Sequence, residues 1–305
     1  MKKILILAVL CSLVFRQPLK AQYYFYNDKY YENAVVVELG ASFGIMNSLT
    51  DLGGKKGIGK NFIKDLNWEN TKLSYGLCVS AMYQNKIGIR LEGTIGSVAG
   101  YDSILKPVAA TTSGRYERNL SFKSRISDFQ LALEIHPLMF NNFEKKEPPR
   151  FSPYGVVGVG FYSFDPKAKL NGQWYSLQPL RTEGQGFKEY PERSPYKLSQ
   201  LNFSAGLGVK YEVNSMFNAR LELNHRNLNT DYLDDVSTSY IDPNLFYNYL
   251  PVNLAAIAQQ LQNRKGELNP SDVTSIGDQR GDAKDNDAFF TIQLKIGMML
   301  GRQRR

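Results

Sequence analysis

The chain has 305 residues, with 37 Lys and Arg against 29 Asp and Glu, a formal charge of +8 and a pI near 9.2. Four of those bases, Lys2, Lys3, Arg16 and Lys20, lie in the first 21 residues, which hold no acid, so 33 bases face 29 acids in the rest and the balance argues against a nucleic-acid partner. A mean hydropathy of −0.35 speaks against a helical membrane protein, and 25 Gly, 19 Tyr and 17 Phe favour strands and turns over disorder.

Met1-Lys2-Lys3 is a basic start, and Ile4 to Phe15 is an apolar run of signal-peptide length. Arg16, Gln17, Pro18 and Lys20 end that run too early for a bilayer anchor. Leu19-Lys20-Ala21 closes on a small residue, so residues 1–21 are expected to be a signal peptide cleaved before Gln22, leaving 22–305 as one barrel domain. Val9-Leu10 lacks the small residues that lipidation of Cys11 would need. After cleavage Cys78 stands alone, so no internal disulfide is expected. No later segment reaches about 18 consecutive apolar residues, which leaves a soluble exported protein or an outer-membrane β-barrel.

Eight runs of strict alternation follow in chain order. The first sets Val35, Val37, Leu39, Ala41 and Phe43 against Val36, Glu38, Gly40 and Ser42. The second runs from Leu73 to Tyr83, the third from Ile87 to Ile95 with Arg90 and Glu92 on its second face, and the fourth alternates Phe129, Leu131, Leu133 and Ile135 with Asp128, Gln130, Ala132, Glu134 and His136. The fifth covers Val157 to Tyr162, the sixth Leu201 to Glu212, the seventh Phe217 to Arg226 and the eighth Phe290 to Met298. Seven of them are about the 9–11 residues that a tilted membrane-crossing strand needs, the fifth being shorter, and eight is even. The second faces are small or charged, which suits the crowded inside of a narrow barrel better than the wet face of a sandwich. Asn85-Lys86 and Asn214-Ser215 read as two-residue turns, and a modest link spans Asn141 to Arg150. The other links run from about 29 to about 60 residues, and short and long alternate. The sequence thus predicts an all-β chain: an eight-stranded antiparallel transmembrane β-barrel with long external loops and short periplasmic turns, set in outer-membrane lipid.

The inward faces carry Glu38, Glu92, Asp128, Glu134, Glu212 and Glu222 with Arg90, Lys210, Arg220, Arg226 and Lys295. Near-balance of sign favours a salt-bridge network that fills the lumen over a selective pore, where one sign would dominate a ring. The fourth external loop, 228–287, holds ten acids and four bases. Its helix is expected from Leu254 to Asn263, and so long a loop is expected to fold over the barrel mouth or meet a partner. Asp231, Asp234 and Asp235, or Asp282, Asp285 and Asp287, are oxygen ligands of the kind Ca²⁺ takes. Neither set has the Gly and closing Glu of an EF-hand loop, so the expectation is a solvated acidic loop whose Asp side chains cap turns, with no metal and no cofactor.

The segment Gly206-Leu207-Gly208-Val209-Lys210-Tyr211, the strand Phe217 to Asn227 and the string Thr230-Asp231-Tyr232-Leu233-Asp234-Asp235-Val236-Ser237 resemble the small outer-membrane barrel family typified by PorG, associated with the type IX secretion machinery. The resemblance is strongest over residues 201–243 and is compatible with the whole mature chain. It implies a non-enzymatic accessory or anchoring component that contacts a periplasmic ring of the same machine. The periplasmic surfaces available for that contact are Phe143-Glu144-Lys145-Lys146-Glu147 and the tail Arg302, Arg304 and Arg305.

Two other readings stand beside it: a structural or adhesive barrel acting through its loops, and an envelope-lipid-modifying enzyme. A hydrolase would need a nucleophile beside a base. His225-Arg226-Asn227 resembles the His-x-Ser-Asn arrangement of lipid A deacylases, but Asn227 stands where the serine would be. His225 therefore reads as an interfacial residue and His136 as a strand-end residue, and no catalytic residue is expected. Gly158-Val159-Gly160 and Gly206-Leu207-Gly208 are period-two strand features, since no helix follows them to make a phosphate loop.

Overall fold

A computed structural model of the chain describes residues 34–54, 67–112, 114–141, 149–271 and 274–300. The expected signal peptide, the Gly/Lys run at 55–60, the segment at 143–147 and the tail at 302–305 lie outside the described residues.

Ten strands form one antiparallel sheet: β1 (Val35–Leu49), β2 (Lys72–Tyr83), β3 (Ile87–Tyr101), β4 (Ser121–Ile135), β5 (Phe151–Ser163), β6 (Pro166–Leu170), β7 (Gln173–Ser176), β8 (Ser199–Glu212), β9 (Phe217–Leu228) and β10 (Ala288–Leu300). Their order is β3-β2-β1-β10-β9-β8-β5-β4, and β3 pairs with β4 to close an eight-stranded barrel. The first and last strands meet from Val37 opposite Leu300 to Leu49 opposite Ala288. Closure leaves the wall no free edge, which is the condition for a sheet to sit in lipid. No helix among the described residues is long and apolar enough to cross a membrane.

The period-two alternation turns into two opposite surfaces. Outward positions such as Leu77 and Leu207 are 72% and 71% exposed, while inward Arg90, Glu92 and Glu222 are at most 2% exposed. The outward apolar surface is bounded by aromatic residues at both ends. Tyr83, Phe151, Tyr211 and Phe217 lie at the short-turn end, and Phe43, Tyr75, Phe129 and Phe161 near the long-loop end. From Phe151 to Phe161 the chain rises about 33 Å along the strand, or about 25 Å along the axis at a tilt of roughly 40°, the height of a lipid-facing band.

Short links lie at one end. The turn after β2 centres on Gln84 and Asn85, both at positive φ, with Lys86 N–H donating to Tyr83 O at 2.9 Å. This is one residue earlier than the sequence placed it; two successive left-handed residues match the twist of the flanking strands. In the turn after β8, Asn214 Oδ1 accepts from the backbone N–H groups of Met216 and Phe217, both at 2.8 Å.

The strands run to 12–15 residues in several cases, longer than a membrane crossing requires, so the wall continues above the aromatic rim. β6 continues the pairing of β5 along β4 and folds back as a hairpin with β7 over Asn171 and Gly172, both at positive φ. A helix spans Val252–Gln262 in the fourth loop, slightly ahead of the expected limits. Above the rim the inside of the molecule is apolar. Met46, Val98, Phe122, Ile126 and Phe289 of the wall pack with loop residues Leu52, Phe164, Leu177, Phe187, Leu233, Ile241 and Phe246. The long loops therefore form a cap with its own core.

Candidate functional site

Two arrangements stand out: a charged layer within the lumen and a polar knot within the cap. In the lumen Arg90 on β3 makes a two-pronged contact with Glu222 on β9, at 2.8 and 3.0 Å, and reaches Glu134 at 3.2 Å and Glu92 at 3.2 Å. Lys295 on β10 donates to Glu92 at 2.6 and 2.7 Å and lies 2.9 Å from Glu222. Arg220 on β9 bridges Glu38 on β1, at 2.6 Å, and Glu134 on β4, at 2.5 Å, while Lys210 on β8 lies 3.5 Å from Glu38. Four bases thus meet four acids from six strands, all buried. Glu212 is also buried inside, near the short-turn end. A separate layer nearer the cap joins Arg226 to Asp128 at 3.0 Å and to Thr291 at 2.6 Å, with Asn202, Gln130 and Ser204 completing it.

Small inner-face residues make room for this layer. A Cβ on Gly208 would strike the Tyr154 ring, and one on Gly297 would strike the Glu38 carboxylate. Tyr154 uses the space to donate to Glu222 at 2.7 Å.

His136, read from sequence as a strand-end residue, is 1% exposed and lies in the floor of the barrel. Its Nε2 is 2.8 Å from Glu134 and its Nδ1 is 3.0 Å from the Ser152 hydroxyl. Serine, histidine and carboxylate are therefore in hydrogen-bond sequence, an arrangement the sequence reading missed. The signal was present, since residues 134 and 136 share the inward parity. All three are buried and Glu134 is already held by Arg90 and Arg220, so the trio acts as part of the floor. His225 is half-buried on the outward face, with Nε2 3.0 Å from Asn227 Oδ1.

The string Thr230–Ser237 forms the centre of the cap. Leu233, Asp234 and Asp235 have no exposed surface, and Val236, Ser237 and Thr230 are buried, while Asp231 and Tyr232 are half-buried. The sequence reading of this stretch as a solvated acidic loop is therefore corrected, although Asp282 and Asp285 are exposed. The buried acids are satisfied by backbone N–H and hydroxyl donors from the loops. Asp234 accepts from Leu52 of the first loop and from Val236, both at 3.0 Å. Asp235 accepts from Thr182 and, at 2.7 Å, from Tyr196 of the third loop. Asp287 accepts from Leu233 N–H at 2.8 Å. Glu183 accepts from Ser237 and Thr238 N–H and pairs with Arg280 at 2.8 Å, and Arg118 of the second loop, itself held by Asp102 at 2.8 Å, donates to Arg280 O at 2.7 Å. All four long loops converge here. Tyr232, Tyr196, Phe164 and Tyr162 stack in sequence beside it, at 5.0, 6.0 and 5.4 Å.

Burial dominates the acid chemistry. It pushes the Asp235 carboxyl up to about 6, against the pull of Arg280. Asp231 is pushed up to about 9 by burial, with Asp234 and Asp51 adding to the shift. Asp287 and Asp234 are raised well above the usual carboxylate range by burial and by their acidic neighbours. Among the described residues no group of three or more His, Cys, Asp or Glu is arranged to hold a metal ion.

A closed eight-stranded wall, an outward apolar band between two aromatic rims and a charged interior define a small transmembrane β-barrel of the outer-membrane type. No protein family pattern matches the chain, and no curated protein matches its sequence. Among solved structures the chain is similar to Ail, the attachment invasion locus protein of Yersinia pestis in complex with the heparin analogue sucrose octasulfate, with 9% identity over 87% of this chain and 97% of that one and a TM-score of 0.35. It is also similar to Neisserial surface protein A, with 6% identity over 87% and 97% of the two chains and a TM-score of 0.36. For the outer membrane protein OprG of Pseudomonas aeruginosa the identity is 13% over 86% and 95%, with a TM-score of 0.36. The assignment to the barrel class rests on this chain's own register and surfaces.

Proposed function

We propose that the chain is a non-enzymatic outer-membrane barrel that serves as an accessory or anchoring component of a type IX protein secretion system. The reading rests on the resemblance of residues 201–243 to the family typified by PorG. One observation carries it furthest: the resembling string Thr230–Ser237 is met directly by the first and third loops and, through Arg280, by the second. A lumen filled by paired charges and a cap with a packed core suit an anchor that presents fixed surfaces. Its partners would then be outer-membrane lipid and proteins of the machine, such as a periplasmic ring.

The second reading, an adhesive barrel acting through its loops, is favoured by the exposed cap residues Trp174, Tyr247, Val252 and Ile276. Gene deletion followed by assay of exported cargo separates the two. Loss of cargo export, with machine proteins recovered on affinity purification of the barrel, is the expected result. Normal export with lost surface attachment would overturn the secretion reading in favour of adhesion.

A further inference from the structure

We propose that the outward face of β4 and of the β6–β7 hairpin, just above the aromatic rim, binds the phosphate-bearing headgroup of an outer-leaflet lipid. The strand β4 changes character along its length. Its outward positions are Ile135, Leu133, Leu131 and Phe129 in the apolar band, then Ser127, Arg125 and Lys123. Lys167 of β6 lies directly opposite Lys123, so both side chains leave the same face. Lys169 follows two residues on and is paired with Trp174 of β7, which puts all five side chains on one surface. The opposite face of the hairpin packs Ala168 and Leu170 into the cap core, which fixes the direction of the lysines.

Lys123, Arg125 and Lys169 are exposed and make no ion pair with a described residue; Lys167 is paired with Asp165 at 3.0 Å. Like charges directly opposite each other destabilise a sheet pair, so Lys123 and Lys167 gain from an anion between them. Arg125 stands four residues above Phe129, about 13 Å along the strand and roughly 10 Å in height, which is the headgroup level. The patch faces sideways over lipid-exposed Phe129 and Phe161, so a lipid whose chains run down the wall presents its phosphate there. A guanidinium fork, several ammonium groups and an exposed indole are the groups that hold a phosphorylated headgroup. The fourth loop, rich in acid, is the wrong surface for it, which localises the lipid to this side.

Native mass spectrometry of the folded full-length barrel in neutral detergent tests this, with diphosphoryl lipid A and its dephosphorylated counterpart as probes. Retention of the phosphorylated form in at least about tenfold preference is expected, with a loss of roughly fivefold per base removed. Lys123→Gln with Arg125→Gln should therefore weaken retention roughly 25-fold, while Lys86→Gln, at the short-turn end, should leave it unchanged. Heat-modifiable gel mobility reports folding. Should the β4 pair not fold, Lys167→Gln with Lys169→Gln on the hairpin is the deciding variant. Equal retention of both lipids, undiminished retention by the folded variant, or displacement by an equal concentration of inorganic phosphate would overturn the proposal.

Discussion

Arg90 lies within 3.2 Å of three carboxylates contributed by β3, β4 and β9, and it is 1% exposed. A lone guanidinium there would be held away from water at a cost of several kcal/mol. The cost is offset because the layer is neutral as a set and its members, Lys210 apart, each meet more than one partner. Dependence on the set makes single changes severe. Glu222→Gln removes the charge that answers both Arg90 and Lys295, and it should destabilise the folded barrel by about 3–5 kcal/mol in urea titrations from lipid vesicles. Arg90→Met combined with Glu222→Gln should cost less than the two single changes added together, by about 1–3 kcal/mol. Additive costs would show that the residues do not act as a unit.

The external loops behave as one element because the string Thr230–Ser237 together with Arg280 ties them to one another, and the acids around it give that element a pH response. Asp287 is fully buried, and burial first, then Asp234, Asp231 and Asp51, raise its carboxyl well above the usual range. The folded cap therefore holds the proton more tightly than the unfolded chain, whose Asp titrates near 3.9. Above that pH the unfolded chain gives up its proton first, so cap stability is greatest below about pH 4 and falls as pH rises toward the folded value. Asp287→Asn keeps an oxygen for the Leu233 N–H and has nothing to titrate. It should flatten the profile and stabilise the cap at pH 8 by on the order of 1–2 kcal/mol, read as slower exchange of the Leu233 amide. A wild-type cap whose exchange protection is independent of pH would contradict this. The contrast with the strands explains what was legible. Alternation with period two states which face each wall residue takes, so the positions of Arg90, Glu134 and Arg220 could be read from neighbours alone. The cap could not, because its contacts join residues such as Leu52 and Asp234, distant in sequence and linked by backbone donors that carry no side-chain signature. The β6–β7 hairpin carries its own signal in Asn171-Gly172, a two-residue turn at positive φ, but its strands are only five and four residues long, and it is the pairing of β4 beyond the membrane that continues them from the wall.

Taken along its axis, the molecule changes what fills it. The lumen within the membrane holds paired charges, and the same wall, continued upward, encloses an apolar core under the loops. This order follows from the surroundings. In the membrane the outward face must be apolar, so the alternating strand leaves its polar residues inside, whereas above the rim the outside is wet and the inside can be apolar. Two structures then stand between the two ends of the barrel, and they can be told apart. If the charged layer is the barrier, the wild-type barrel in planar bilayers shows no large steady channel, and Asp235→Ala, which frees Tyr196 and Thr182 and loosens the cap, stays closed as well. Shortening both Arg90 and Arg220 to Ala removes the two side chains that bridge opposite sides of the lumen, and the folded fraction should then conduct. A closed Arg90→Ala, Arg220→Ala barrel beside an open Asp235→Ala barrel would move the barrier from the lumen to the cap, and a steady channel in the wild type would end the plug description. The distinction bears on function, because a barrel blocked within its wall can have its loops rearranged without the membrane becoming leaky.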